Sequence, residues 1–400
     1  MRFRQTADQL IPELAGHQQR FLIGGVALLA VSAAGYFTNP EMFFQSYLMG
    51  YMLALGATLG PLALAMIHQL SGGKWGVVIR RILGAASRVL PVMTLLFIPV
   101  IVGMPHLYHW SHADAVTHDE VLTHKSLYLN PAFFIGRAVL YFVIWNTLAF
   151  LLNKWSLEQD QNGDPAIAKR MERLSAGGLL IFGFTMTFAA FDWLMSLDPH
   201  WFSTIYGFLV MGGQGLTTMA LTIIALNWLS KREPMNTAAT PQYFHDLANL
   251  MLAFVILWAY FSFSQYLIIY AGNLPEEITF YTRRLDTSWN IVGQFLIVAH
   301  FVVPFLILLF RRNKRVASRL VPVAAFLLFM RLVDLFWLIA PNFREHLSVG
   351  WTDLVLPAGF VSLWIGLFIM QLRGRPLLPF YDPQFAEAVP QLADGHQAAH

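Results

Sequence analysis

FFQSYLMGYMLALGATLGPLAL, Phe43 to Leu64, contains no Asp, Glu, Lys or Arg. An apolar run of about 20 residues is long enough to cross a bilayer as a helix. Its Gly50, Gly56 and Gly60 let neighbouring helix backbones come close. Shifted by 157 residues, the stretch lies over HWFSTIYGFLVMGGQGLTTMAL, His200 to Leu221. Ser46 then meets Ser203, Gly50 meets Gly207, Gly56 meets Gly213 and Leu59 meets Leu216. The second copy has its own small-residue run in Gly207, Gly212, Gly213 and Gly215.

The rest of the chain agrees with a membrane reading. Hydrophobic residues make up 56% and charged residues 12%, about half the charge of a soluble domain. Blocks long enough to span fall at about 20–38, 42–68, 86–104, 131–153, 174–195, 201–229, 247–271, 288–310, 320–340 and 353–372. The expected fold is an all-α polytopic membrane protein with ten transmembrane helices. Lys and Arg set its orientation: with the N-terminus inside, 20 of the 26 fall in inner segments. Lys125, Arg283, Arg284 and Arg344 fall in outer loops, and Arg137 and Arg331 within helices. The expected topology is therefore N-in/C-in. The net charge of +3 follows from this asymmetry and carries no nucleic-acid signal.

The offset of 157 also places Gly136-Arg137 over Gly293-Gln294 and Lys154 over Arg311. With a shorter last connection Asp192 falls on Asp334, each followed seven residues later by a proline, Pro199 and Pro341. Spans 2–5 thus correspond to spans 6–9. Four spans is an even offset, so the copies share one orientation, as two four-helix bundles side by side. The expected division is a surface arm at 1–19, a flanking span 1 at 20–41, bundles at 42–199 and 200–341, a flanking span 10 at 342–375, and an inner tail at 376–400 that runs extended. Asp198-Pro199 reads as an N-cap and first helical residue for span 6. Trp110, Trp193, Trp201, Trp337 and Trp351 fall near outer ends of spans, where an interfacial belt is expected.

There is no cysteine. That excludes a protein-ligated iron–sulfur cluster, a thioether-linked haem, a disulfide and a thiol nucleophile. Only His68 and His300 fall within spans, and His68 is at an inner end, so haem b lacks a facing pair of ligands. No P-loop, nucleotide fingerprint or zinc motif is present. The expectation is a chain without a redox centre of its own and without a metal site. Five of the 13 histidines, His106, His109, His112, His118 and His124, lie in the long outer connection between spans 3 and 4. With no evident carboxylate partner they read as a docking loop rather than a metal site.

The charges inside the membrane carry the functional signal. Arg137 lies about two turns below the outer end of span 4, and Asp192 near the outer end of span 5, at similar depth. They are expected to pair. In the second copy Gln294 stands at the place of Arg137, while Arg331 and Asp334 share one side of span 9. His300 lies deeper, near the midplane. Ser46, Tyr47 and Tyr141 extend the polar set in the first bundle, and Gln214, Tyr260, Ser262, Ser264 and Gln265 in the second. The inner half is thinner, with His68, Asn146, Thr147, Thr185 and Thr187. Two readings stand: pairs that fix helix register, or a polar chain that carries protons or meets a quinol head group at Arg137, Asp192, Ser46 and Tyr47.

FDWLMSLDPHWFSTIYG, Phe191 to Gly207, with Asp192, Trp193, Pro199, Trp201, Ser203 and Gly207, resembles the NrfD-like, or polysulfide reductase membrane-subunit, family. The similarity extends over the membrane part, to about residue 375, and is strongest to the members of bacterial alternative complex III. It implies a bacterial cytoplasmic-membrane subunit of a respiratory complex that oxidises quinol and passes electrons to cytochrome c or a high-potential iron–sulfur protein. Haem c and iron–sulfur clusters would sit in partner subunits, beside a sister NrfD-like subunit and lipid. The family binds quinol near the outer end of the first bundle. Here no in-helix histidine lies near Arg137 and Asp192, which favours a proton-path and scaffold role. A quinol-binding subunit proper, or a solute transporter built on repeats, are the alternatives.

Overall fold

The computed structural model describes residues 6–392. The chain is an all-α, multi-pass membrane protein, and its described residues hold ten helices long and apolar enough to span: Leu14–Thr38, Pro40–Ser71, Lys74–Val102, Pro131–Gln161, Pro165–Leu197, Tyr206–Leu229, Pro241–Gly272, Asn290–Leu309, Ala317–Asn342 and Thr352–Leu372, called spans 1 to 10. Helices suit hydrocarbon because every backbone polar group is satisfied within the segment. Below, the inner face is the one that carries the Lys/Arg excess.

Local chemistry sets where the spans start. Spans 2, 4, 5 and 7 all open on proline, at Pro40, Pro131, Pro165 and Pro241. Proline has no N–H to leave unpaired at the first turn. Asn39, Asn130 and Asp164 precede three of them, and each accepts from a first-turn amide, that of Met42 at 3.0 Å, Phe133 at 2.9 Å and Ala166 at 2.8 Å. Asp198-Pro199 carries the same signature but does not start a helix. The Asp198 carboxylate pairs with Arg283 at 3.1 Å, and span 6 begins only at Tyr206.

Spans 2–5 pack together, as do spans 6–9, and the halves meet where span 2 crosses span 6. These two are the most buried of the ten. Their crossing depends on Gly60: a Cβ there would stand 2.5 Å from the backbone carbonyl oxygen of Gln214 and against the Thr218 hydroxyl. Gly60→Ala is expected to destabilise the chain by about 1–3 kcal/mol, the usual cost of overpacking, because helix backbone must move. A detergent melting curve that matches the parent chain would remove this role from Gly60. The flanking spans 1 and 10 pack on each other, and span 10 lies on span 2.

Several expected boundaries shift. Span 1 begins at Leu14, so the polar arm is shorter than 1–19 and holds one four-residue helix, Ala7–Leu10. Met1 to Gln5, with Arg2 and Arg4, and residues 393–400 of the tail lie outside the described residues. Span 3 starts at Lys74 rather than near 86, and it is broken. The Phe97 amide bonds to Thr94 and the Val100 amide to Phe97, which frees the Met93 and Leu96 carbonyls. Tyr51 and Tyr47 on span 2 donate their hydroxyls to these, at 3.1 and 2.8 Å.

The tail is not a loose extended segment. Pro376 bridges to Thr6, Leu378 and Phe385 are buried, and Phe385–Ala388 forms one helical turn. Asp382 pairs with Arg80 on span 3, and Tyr243 on span 7 donates to the Ala388 carbonyl. The tail is thus a strap over the inner ends of both bundles.

The tryptophan belt is also corrected. Trp110, Trp193 and Trp201 are buried. Trp110 donates to the Ser196 carbonyl at 3.2 Å, and Trp201 stacks on Phe280 at 4.2 Å. They close the outer ends of the bundles against protein, and Trp351 is the one of the five that is exposed.

Candidate functional site

In the first bundle Asp192 is fully buried on the last turn of its helix, which ends at Trp193. Arg137 meets it as a fork: Nε donates to Oδ2 and Nη2 to Oδ1, both at 2.8 Å. Tyr141 Oη donates to Oδ2 at 2.9 Å, and Arg137 Nη1 donates to the Tyr128 carbonyl at 2.9 Å. The guanidinium lies over the Tyr128 and Phe133 rings, at 3.8 and 4.3 Å from their centroids. Bidentate geometry and stacking are what arginine provides and lysine does not. Both carboxylate oxygens are taken, so this pair is electrostatically complete.

The second bundle is less satisfied. Arg331 pairs with Asp334 one turn on, and both are buried. Gly213 on span 6 leaves the space that the Arg331 guanidinium fills. Arg331 Nε has no hydrogen-bond partner. The Trp258 indole N–H faces Asp334 without closing a hydrogen bond. On its other side Trp258 packs against His300, ring centroids 4.1 Å apart. His300 is fully buried, and neither ring nitrogen has a partner.

Backbone irregularity places His300. Residues Leu296–Val302 form a π-helical segment just before Pro304. In an α-helix the Pro304 ring would clash with the carbonyl four residues back, that of His300. The wider turn relieves the clash, and such segments recur at functional sites.

Other expected members lie elsewhere. Gln294 does not replace Arg137: its side chain is exposed and bonds to Asn290 at 3.2 Å, because that face of span 8 points away from the bundle. Tyr260 also faces outward. Tyr47 is committed to the Leu96 carbonyl. Ser46 donates to Asp353 Oδ1 at 2.5 Å. These two therefore do not join Arg137 and Asp192. Gln265 accepts from Ser203 at 3.1 Å near the outer surface. Gln214 Nε2 contacts Met186 Sδ at 3.4 Å. A cavity of about 10 Å³ between Gln214, Thr217 and Arg331 is close to the size of one water.

The inner-half residues form no continuous row. His68 bonds to the Gly73 carbonyl at 2.9 Å, Thr147 and Thr187 to carbonyls of their own helices, and Trp145 to Thr185 at 2.9 Å. Asn146 reaches Thr94 at 2.9 Å.

Two features went unread in the sequence. Arg344 donates to both oxygens of Asp353, at 2.7 and 3.0 Å, and to Gln45 at 3.1 Å, a network that ties span 10 to span 2. The signal was an Arg and an Asp nine residues apart across a short outer loop. Arg284, on the outer helix Pro275–Leu285, is fully buried and faces backbone carbonyls. Among the described residues no group of three or more His, Cys, Asp or Glu converges as a metal site. In the outer loop His112 bonds to a carbonyl and Asp119 pairs with His200 at 2.6 Å. The Asp119 carboxyl is held below its usual range, first by the Leu122 amide and then by His200.

No protein-family model and no curated protein matches the chain.

Proposed function

We propose that this chain is an integral subunit of a respiratory quinol:cytochrome c, or high-potential iron–sulfur protein, oxidoreductase in a bacterial cytoplasmic membrane. It would be an NrfD-like subunit, most similar to ActF of alternative complex III, and would carry no redox centre of its own. Electrons would pass through haem c and iron–sulfur partners. This chain supplies a scaffold and part of a proton path beside a sister NrfD-like subunit.

One observation carries the reading. Each bundle holds a buried Arg–Asp pair, and only the second opens onto an unpartnered, fully buried histidine. Intramembrane ionisable residues mark ion pathways by default. A proton carrier needs a site that can both accept and release, which the saturated Asp192 lacks and the Asp334–Trp258–His300 group offers. Quinol binding at Asp192 is less favoured, because a head group would have to displace Tyr141 or Arg137. A transporter is less favoured because span 8 is interrupted and its counterpart, span 4, runs unbroken from Pro131.

The test is purification of the native complex with Asp334→Asn or His300→Leu in this chain, followed by quinol oxidation and proton release in proteoliposomes. The parent should copurify with haem c and iron–sulfur proteins. Each variant should assemble and slow or uncouple turnover by at least about tenfold, the low end for loss of a positioned proton-transfer group. Unchanged turnover and coupling would leave both residues structural. A parent chain that purifies without redox partners would end the subunit reading.

A further inference from the structure

Between the bundles, in the inner half of the membrane, lies a cavity of about 630 Å³, well within the roughly 300–1,000 Å³ of small-molecule sites. Small residues create it: Ala54 and Ala57 on span 2, Ala86 on span 3 and Ala225 on span 6. Its wall is almost wholly apolar. Two of the three threonines in it turn their hydroxyls back to their own helix, Thr217 to the Gly213 carbonyl at 2.9 Å and Thr218 to that of Gln214 at 2.8 Å. They present methyl groups to the space. Such a wall offers a polar head group few partners, and a hydrocarbon chain needs none.

The cavity opens sideways as a slot. Phe21 on span 1, Phe329 on span 9 and Val361 on span 10 line it and are each exposed at the protein surface. Its inner end lies at His17 and Trp228, near the inner ends of spans 1 and 6. Cations stand at that depth. Arg20 is one turn along from His17, Lys231 follows Trp228 by three residues, and both are exposed. Arg232 beside them is already paired with Glu13 at 2.7 Å. An apolar slot entered from the inner leaflet, with free cations at head-group level, has the charge pattern that attracts anionic lipid.

We propose that this slot holds one acyl chain of an anionic inner-leaflet phospholipid, its phosphate held by Arg20 and Lys231. The lipid fills the seam between the bundles in its inner half, where protein side chains do not.

The experiment uses the full chain in bilayers with a trace of phosphatidylglycerol that carries a photoreactive diazirine at mid-chain. Crosslinks are expected on the segments around Ala54–Pro61 and Thr217–Ala225. Filling the slot with Ala57→Phe and Ala225→Phe should reduce them by about fivefold or more, since the added rings take up the space. Because that variant could misfold, Arg20→Gln with Lys231→Gln, both on the surface, provides a second test. There phosphatidylcholine with the same label should compete as well as phosphatidylglycerol, whereas in the parent it competes poorly. Crosslinks unchanged by filling, or equal lipid competition in the parent, would overturn the proposal. So would a photoreactive isoprenoid quinone that labels the slot in preference to phosphatidylglycerol.

Discussion

Arg137→Leu is expected to cost the folded chain about 3–5 kcal/mol, the range for removing one partner of a buried ion pair. The reason is what remains. Asp192 is fully buried, and without the fork it keeps one hydrogen bond, from Tyr141, for a full charge. The double variant Arg137→Leu with Asp192→Leu should recover most of that loss, because an apolar pair of similar volume carries no desolvation penalty. Arg137→Lys should fall between, since an ammonium cannot serve both carboxylate oxygens and the Tyr128 carbonyl in one plane. Denaturant titration of the purified protein in mixed micelles reads all three. Equal losses in the single and double variants would mean that packing, rather than charge, holds spans 4 and 5 together.

Arg284→Met should cost about 3 kcal/mol, for a different reason. Arg284 has no carboxylate partner among its hydrogen bonds. It donates to the Phe280 carbonyl at 2.9 Å, to those of Trp337 and Leu338 at 3.3 Å, and to Asn342 Oδ1 at 3.4 Å, with its plane over Phe280 at 3.6 Å. The carbonyls of residues 337 and 338 belong to the last turn of the α-helix Ala317–Ile339, the main part of span 9. Arg284 is a cation set at the negative end of that helix, and it occupies the Trp337 carbonyl, for which Pro341 one turn on has no N–H, while the Leu338 carbonyl also accepts from Asn342 Nδ2 at 2.9 Å. Burial pushes its pKa down to about 9, so it is still charged at neutral pH. Its loss leaves the Trp337 carbonyl unpaired, a cost of about 1–3 kcal/mol, and removes the cation from the helix end. Arg284→Lys, which keeps charge but reaches fewer carbonyls, should restore less than half. A melting temperature indifferent to Arg284→Met would show that the outer end of span 9 is held by packing alone.

What the sequence reveals depends on how local the physics is. Ten spans are legible because hydrophobic length is a property of contiguous residues. Asp192 and Arg137 are legible as a pair because depth on adjacent helices follows from counting 1.5 Å per residue. Span 3 is less legible: its amphipathic start at Lys74 looks like a surface loop until Arg81 is seen paired with Asp160. Gln294 misleads because the 157-residue offset aligns positions along the chain but does not say which face of the helix turns inward. Arg344 and Asp353 leave a spacing signal across a short loop, but Arg284 with the end of span 9 leaves none, since it depends on how an outer helix folds back. His300 is visible as an intramembrane histidine. Its π-helical setting before Pro304 and the lack of partners at both its nitrogens are announced by no periodicity.

The inner strap limits what motions the molecule can make. Asp382 is latched to Arg80 on one bundle and Ala388 to Tyr243 on the other. A swing that parts the two halves on the inner side would have to undo both latches and lift Leu378 and Phe385 from their buried seats. At the outer side Arg344, just past the end of span 9, donates to Gln45 on span 2 at 3.1 Å. The two halves are thus tied to each other at both faces. Any ion that crosses this chain must therefore move by side-chain rotation and bond exchange inside a fixed frame, as in a wire, rather than being carried by a rocking gate.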